Sequence, residues 1–318
     1  MKSTGKALLL LAAAASMGWG FFGHETINRQ SIFSLPPEMI GFYKRHMDYL
    51  VEASVNPDKR RYAVKEEAPR HYIDLDSYGD SAKALPLRWH EAVTKCGEDS
   101  LVKHGVVPWH IPQMVYRLQR AFFMNDPEAI LRYSAELGHY VADANVPLHT
   151  TRNHNGQLTN QHGIHGFWES RLPELFAGRY DFLVGKAEYV GDVPQRSWAA
   201  VHRAHRAVDS VLEEDRRLDV QRKFSYETRG RQTVRVYSEP YARWYHDRLA
   251  GMVERQMRAS VKMTADLWYT AWVDAGQPDL RHLLDYSPTE EELRARKADW
   301  EQWRLRKYSA REHESDGK

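Results

Sequence analysis

The stretch ELGHYVADANVPLHTT sets His139 and Asp143 four residues apart, then meets Pro147 two positions before His149. On a helix, positions i and i+4 share a face. Proline cannot continue that helix, so His149 is free to turn back toward the same face. After the polar loop TTRNHNGQLTNQHG, the segment GIHGFWES repeats the arrangement with His165 and Glu169, again four apart. A fold that uses both pairs must bring two helices together across one short loop. Neutral imidazole and carboxylate are ligands that suit zinc, and i, i+4 pairs present them side by side. Upstream, NPDKRRY offers Asp58 and RHYIDLD offers His71. One His-x-x-x-Asp alone is more often a surface hydrogen-bonded pair. The ordered set of five residues between His139 and Glu169 points to metal binding.

The rest of the chain has helical punctuation. LPPEMIGFYKRHMDYLVEA enters on prolines and carries Met39, Ile40, Tyr43, Met47 and Leu50 on a helical stripe. LPLRWHEAVTKCGEDSLVKHG ends on a glycine suited to a C-terminal cap. PWHIPQMVYRLQRAFFMND and SWAAVHRAHRAVDSVLEEDRRL read alike, and Ser238 to Ala275 predicts one or two helices. Thr289-x-x-Glu292 is a capping-box pattern opening a charged helix. RQTVRVYS is the one plausible hairpin arm. The expectation is an all-α, single multi-helix domain over residues 19–286, followed by a charged helical tail over 287–318.

The N-terminus reads as a secretory signal over residues 1–18. Lys2 and Lys6 give the positive region, Ala7 to Ala15 the apolar run, and Ser16-Met17-Gly18 the small-x-small cleavage site. The mature chain would then start at Trp19, in the periplasm or outside the cell. No later stretch approaches the roughly 20 apolar residues of a membrane span. The only cysteine, Cys96, cannot form an intrachain disulfide, so an exported fold must be held by its core or by metals. A formal charge of +2 argues against both a strongly basic nucleic-acid binder and an acidic tail.

HYVADANVPLH, HGIHGFWE, RHYID and WGFFGH together resemble the superfamily of zinc-dependent phospholipases C and single-strand-specific zinc nucleases. The resemblance covers Trp19 to about Glu169. It implies an all-helical, exported enzyme with a cluster of three zinc ions. No obligate protein partner is inferred from the sequence. By the same resemblance, Trp19 binds one ion through its free amine and carbonyl oxygen, together with His24 and Asp143. Asp143 bridges to a second ion, which also takes Asp58, His71 and His139. The third takes His149, His165 and Glu169. Signal cleavage would therefore create a ligand. Asp74 and Asp76 are rivals to Asp58.

Three divalent ions against three carboxylates leave a net charge of about +3, which suits an anionic ester and a hydroxide. Water activated by metal would attack phosphorus, and the family resemblance leaves room for Asp58 as a proton acceptor. His-x-x-x-Glu and the short gap from His149 to His165 look like the phospholipase branch, whose substrate implies transient contact with a membrane surface. The compact WGFFGH and Arg61, three after Asp58, look like the nuclease branch, where such an arginine contacts the phosphate of a single-stranded nucleic acid. Tyr72 is a candidate for base stacking. The expectation leans to a phospholipase C-type phosphodiester hydrolase, with the single-strand endonuclease as the alternative. A non-catalytic periplasmic zinc-binding protein is a third reading. It is disfavoured because His149, His165 and Glu169 supply only three ligands, where closed sites have four.

Overall fold

The computed structural model describes residues 21–217, 223–229 and 232–308. The leader expected over 1–18, and Trp19, lie outside the described residues. The chain runs α1 (Phe21–Ser31), α2 (Pro37–Arg45), α3 (Met47–Ala53), α4 (Asn56–Arg60), α5 (Trp89–Cys96), α6 (Glu98–His104), α7 (Val107–Phe123) and α8 (Pro127–Asn145). It continues with α9 (Ile164–Gly166), α10 (Leu172–Phe176), α11 (Val193–His205) and α12 (Val208–Arg216). A hairpin of β1 (Phe224–Arg229) and β2 (Gln232–Tyr237) precedes α13 (Glu239–Arg248), α14 (Met252–Asp274) and α15 (Glu290–Trp303). The described residues are mostly helical with one small antiparallel sheet, as expected for the all-α class. No helix among the described residues is long and apolar enough to cross a membrane.

The centre is α8. Asp126 caps its start by accepting from the Ala129 amide at 3.0 Å, and Pro147 follows its end. Every residue from Ser134 to Asn145 is buried, so this helix has no solvent face at the end that carries His139 and Asp143. Helices α1, α3, α7, α11 and α14 pack around it. Ser134 joins two neighbours: its hydroxyl lies 2.9 Å from Tyr43 Oη, and its carbonyl accepts from Trp268 Nε1 at 3.0 Å. Trp268 and Tyr43 are fully buried, and each such side chain stabilises the fold by about 1.5–3 kcal/mol. Asn28 of α1 donates its side-chain amide to the carbonyls of Leu50 and Ala135. It sits so close to α8 that a Cβ on Gly138 would fall 1.8 Å from Asn28 Oδ1.

A second apolar cluster covers the segment between α9 and α10. Phe167 stacks on Tyr237 of β2, with ring centroids 3.8 Å apart, and meets Tyr245 of α13 at 5.0 Å. The hairpin and α13 thus hold in place the turn that bears Glu169.

Several runs that read as one helix are two. The first breaks at His46 (φ −108°, ψ 20°) and the next at Gly97 (φ 77°). The segment from 193 breaks around Arg206-Ala207, where neither glycine nor proline marks the end. The long segment after Ser238, expected as one or two helices, is two, divided at Ala250 and Gly251, both with positive φ. RQTVRVYS does form a hairpin arm, and its partner is FSYETR, a second arm beyond the sequence expectation. The capping box of Thr289 and Glu292 is present in full.

Candidate metal centre

All eight of the expected ligands that fall within the described residues come together in one buried cluster. His24 arrives on α1, Asp58 on α4, and His139 and Asp143 on α8. His71 ends the 3-10 turn Ala68–His71, and His149 lies in the 3-10 turn Pro147–Thr150, which forms because Pro147 stops α8. His165 is on α9. Glu169 lies in a π-helical turn, Phe167–Arg171, closed by the Leu172 amide on the Phe167 carbonyl. That wider turn is a departure from the regular helix expected for GIHGFWES. Single π turns recur at functional sites because they re-aim side chains. Here the turn leaves Glu169 Oε2 2.7 Å from His165 Nε2.

Asp143 joins the cluster with both oxygens. Oδ2 lies 2.9 Å from His71 Nδ1 and 3.3 Å from His139 Nε2; Oδ1 lies 3.6 Å from His24 Nε2 and 3.8 Å from His149 Nε2. Glu169 Oε2 is 3.2 Å from His149, and its Oε1 is 3.4 Å from His24. Asp58 Oδ1 is 3.8 Å from both His71 Nδ1 and His139 Nε2. Four sets of three donors lie within 4.8 Å of one another: His24, Asp58 and His139; His71, His139 and Asp143; His149, His165 and Glu169; and His24, Asp143 and Glu169. These buried His, Asp and Glu groups could hold a metal ion.

The donor chemistry fits that use. His149 Nδ1 lies 2.5 Å from the His71 carbonyl, and His165 Nδ1 lies 3.0 Å from the His154 carbonyl. A carbonyl only accepts, so both Nδ1 atoms carry the proton and both Nε2 lone pairs face Glu169. His71 turns Nε2 toward Glu67, 3.5 Å away, which leaves Nδ1 toward Asp143 and 3.0 Å from His139 Nε2. Imidazole lone pairs and carboxylate oxygens this close repel unless a cation or proton sits among them.

The electrostatics express the same need. Burial alone would lower the pKa of His24, but its hydrogen bond to Glu169 and the charges of Asp143 and Asp58 raise it to about 9. Burial likewise opposes protonation of His71, which Asp143 and Glu67 overcome, raising it to about 9. Burial would raise the carboxylates, yet the surrounding imidazoles hold Asp143 and Glu169 well below the usual range. Asp58 is lowered against its burial chiefly by Arg61.

The remaining sequence candidates fall around this cluster. Arg61 is buried, with Nη1 3.0 Å from Asp58 Oδ1 and Nη2 3.3 Å from Tyr62 Oη. Asp76 instead ties down the following loop, accepting from Thr151 Oγ1 at 2.7 Å and the Arg152 amide at 3.0 Å. Asp74 is buried but belongs to none of the four donor sets. Tyr72 is half-buried in extended chain, with its backbone and ring against Gly105, where a Cβ would meet the Tyr72 carbonyl at 2.2 Å. Within the loop, Gly156 (φ 71°) approaches the Gln161 carbonyl closely, and Asn155 Oδ1 accepts from the Gly163 amide at the foot of α9.

Sequence reasoning missed the layer beneath His71. Glu67 is fully buried and accepts from Arg60 Nε at 2.8 Å, Arg70 Nη1 at 2.9 Å and Tyr140 Oη. Arg60 also pairs with Glu136 at 2.5 Å. His110 packs edge-on against Tyr140, and burial together with Arg70 lowers its pKa to about 3. The legible signal was the spacing of Glu67, four residues before His71. On the other side of the cluster, Ile27, Ala142, Val146, Trp168 and Met257 help line a small cavity of about 30 Å³ that reaches His24 and Glu169.

No family model matches the chain, and no curated protein sequence matches it.

Proposed function

We propose that the protein is an exported, zinc-dependent phosphodiester hydrolase of the phospholipase C type. The observation that carries this reading is the bridging position of Asp143, whose two oxygens face different histidines within one buried set of donors. His71, His139, Asp58 and Asp143 would hold one zinc, His149, His165 and Glu169 a second, and His24 with Asp143 and Trp19 a third. Bound zinc supplies positive charge to a phosphodiester and makes water acidic near neutral pH.

The chain's own groups have separable tasks. Backbone carbonyls fix the tautomers of His149 and His165. Glu67 orients His71. Asp58, 15% exposed against 10% for Glu169 and 1% for Asp143, is the most exposed of the three carboxylates and is held low by Arg61, so it suits a proton acceptor. WGFFGH, Arg61 and Tyr72 are the sequence features favouring a nuclease. Arg61 lies buried beside Asp58, a position compatible with either substrate, whereas Tyr72 packs on Gly105, which weakens it as a base-stacking platform.

The test assays purified protein starting at Trp19, side by side on phosphatidylcholine and single-stranded DNA, with zinc content measured. About three zincs per chain and chelator-sensitive hydrolysis of phosphatidylcholine are expected, with hydrolysis lost in His165→Ala and Glu169→Ala. Hydrolysis of DNA alone would assign the nuclease activity. Full activity in a metal-free preparation would end the proposal.

A further inference from the structure

Helix α15 buries none of its residues, and its two sides differ in character. One stripe meets the body. Glu292 accepts from Tyr286 Oη at 3.2 Å, Arg296 pairs with Glu128 and lies 4.2 Å over the Tyr49 ring, and Trp303 is half-buried. The adjacent stripe consists of Leu293, Lys297, Trp300 and Arg304, spaced i, i+4, i+7 and i+11. It is exposed, with Leu293 at 51% and Trp300 at 46%. Beyond the helix, Leu305 (61%), Arg306, Lys307 and Tyr308 (44%) extend the same mixture of apolar and basic groups. The acids gather in the first turn, Glu290 to Glu292, where the helix dipole favours them. Only Asp299 and Glu301 follow before residue 308.

This segment lies beside the metal centre. The Tyr308 amide donates to the Tyr62 carbonyl at 2.8 Å, and the Arg306 guanidinium lies 4.8 Å over the Tyr62 ring. Tyr62 follows Arg61, the partner of Asp58, and α15 packs against α4, which carries Asp58.

We propose that α15 and Leu305–Tyr308 form a docking surface for an anionic phospholipid membrane, placing the Asp58 edge of the metal centre against the lipid. The proposal rests on the phospholipase reading. Tryptophan and tyrosine settle at the headgroup level of a bilayer. Exposed apolar side chains flanked by basic ones bind a membrane surface through the apolar area they bury and their attraction to anionic headgroups. Lys297, Arg304, Arg306 and Lys307 complement an anionic leaflet, each worth about fivefold in partitioning.

The test is co-sedimentation of the metal-loaded full chain with vesicles of phosphatidylcholine alone or mixed with phosphatidylglycerol. A second readout is hydrolysis of a short-chain phosphatidylcholine kept monomeric. Binding should favour the mixed vesicles and weaken with salt. Arg304→Ala/Lys307→Ala should lower partitioning by about 25-fold, and Trp300→Ala/Leu305→Ala should lower it further. All forms should hydrolyse the monomeric lipid alike, since none of these residues touches the cluster. Equal vesicle binding by wild type and variants, or no binding at all, would overturn the docking surface while hydrolysis of the monomer upheld the enzyme. Variant-sensitive vesicle binding without hydrolysis of any lipid would support the surface and count against the enzyme. Capture of single-stranded DNA by this stripe in place of vesicles would overturn the lipid assignment.

Discussion

Replacing Gly138 by alanine should loosen the metal centre without touching a ligand. The new Cβ would lie 1.8 Å from Asn28 Oδ1 and 2.8 Å from its Cγ, so Asn28 must move. Asn28 is fully buried and has no solvent to retreat into. Its amide would release the carbonyls of Leu50 and Ala135, about 1 kcal/mol each. Overpacking adds about 1–3 kcal/mol, and the better helix propensity of alanine returns about 1 kcal/mol. The net destabilisation is about 2–4 kcal/mol, a fall in Tm of about 4–8 °C for a chain of this size. Asn28 stands one helical turn after His24, whose ring stacks on that of His139 at 4.0 Å. A displaced α1 therefore carries His24 away from Asp143, and bound zinc should fall as well. The assay is thermal and urea unfolding in chelator, followed by metal content after reloading. Gly23→Ala is the control, since its Cβ would meet only the Glu169 carbonyl, at an ordinary 3.5 Å. A Gly138→Ala protein as stable and as rich in zinc as the parent would refute the close approach of α1 to α8.

Glu67→Gln should weaken zinc binding by about 10–100-fold, because the charge that orients His71 is lost; a competitive titration against a chromophoric chelator measures it, and unchanged affinity would make Glu67 purely structural. In chelator, stability should depend on pH through His24 and His71, both raised to about 9. Their contribution is complete below about pH 6.5, the unfolded value, and lost as pH rises through about 9. Asp143 and Glu169, held low, contribute above the unfolded carboxylate range and lose that contribution in acid, so metal-free protein should be most stable in weak acid. Urea titrations across pH check this, and a flat profile would count against it. A protein with one glycine added before Trp19 should retain about two zincs and hydrolyse poorly, because an amide nitrogen cannot replace the free amine; equal zinc and equal rates would remove Trp19 from the ligands.

The helical class and the pairs His139–Asp143 and His165–Glu169 were legible in the sequence because helical spacing is local. The stop at Pro147 and the capping box at Thr289 are equally short-range, and both are found where expected. Helix breaks at His46 and Ala207 were not legible, since neither residue forbids a further turn and only packing ends the helix there. The π turn at Phe167 is of the same kind, held by aromatic contacts from a hairpin and a helix some seventy residues later. Among Asp58, Asp74 and Asp76, residue type and spacing do not discriminate. Tertiary structure separates them, placing Asp58 beside His71 and His139 and giving Asp76 to the loop at Thr151. The division of Asp143 between two groups of histidines is likewise decided in space, because each oxygen takes partners that the chain brings from different helices and turns. Sequence supplies the ligand types through local periodicity; their facing directions depend on long-range burial around α8, where polar atoms must find partners brought by other elements.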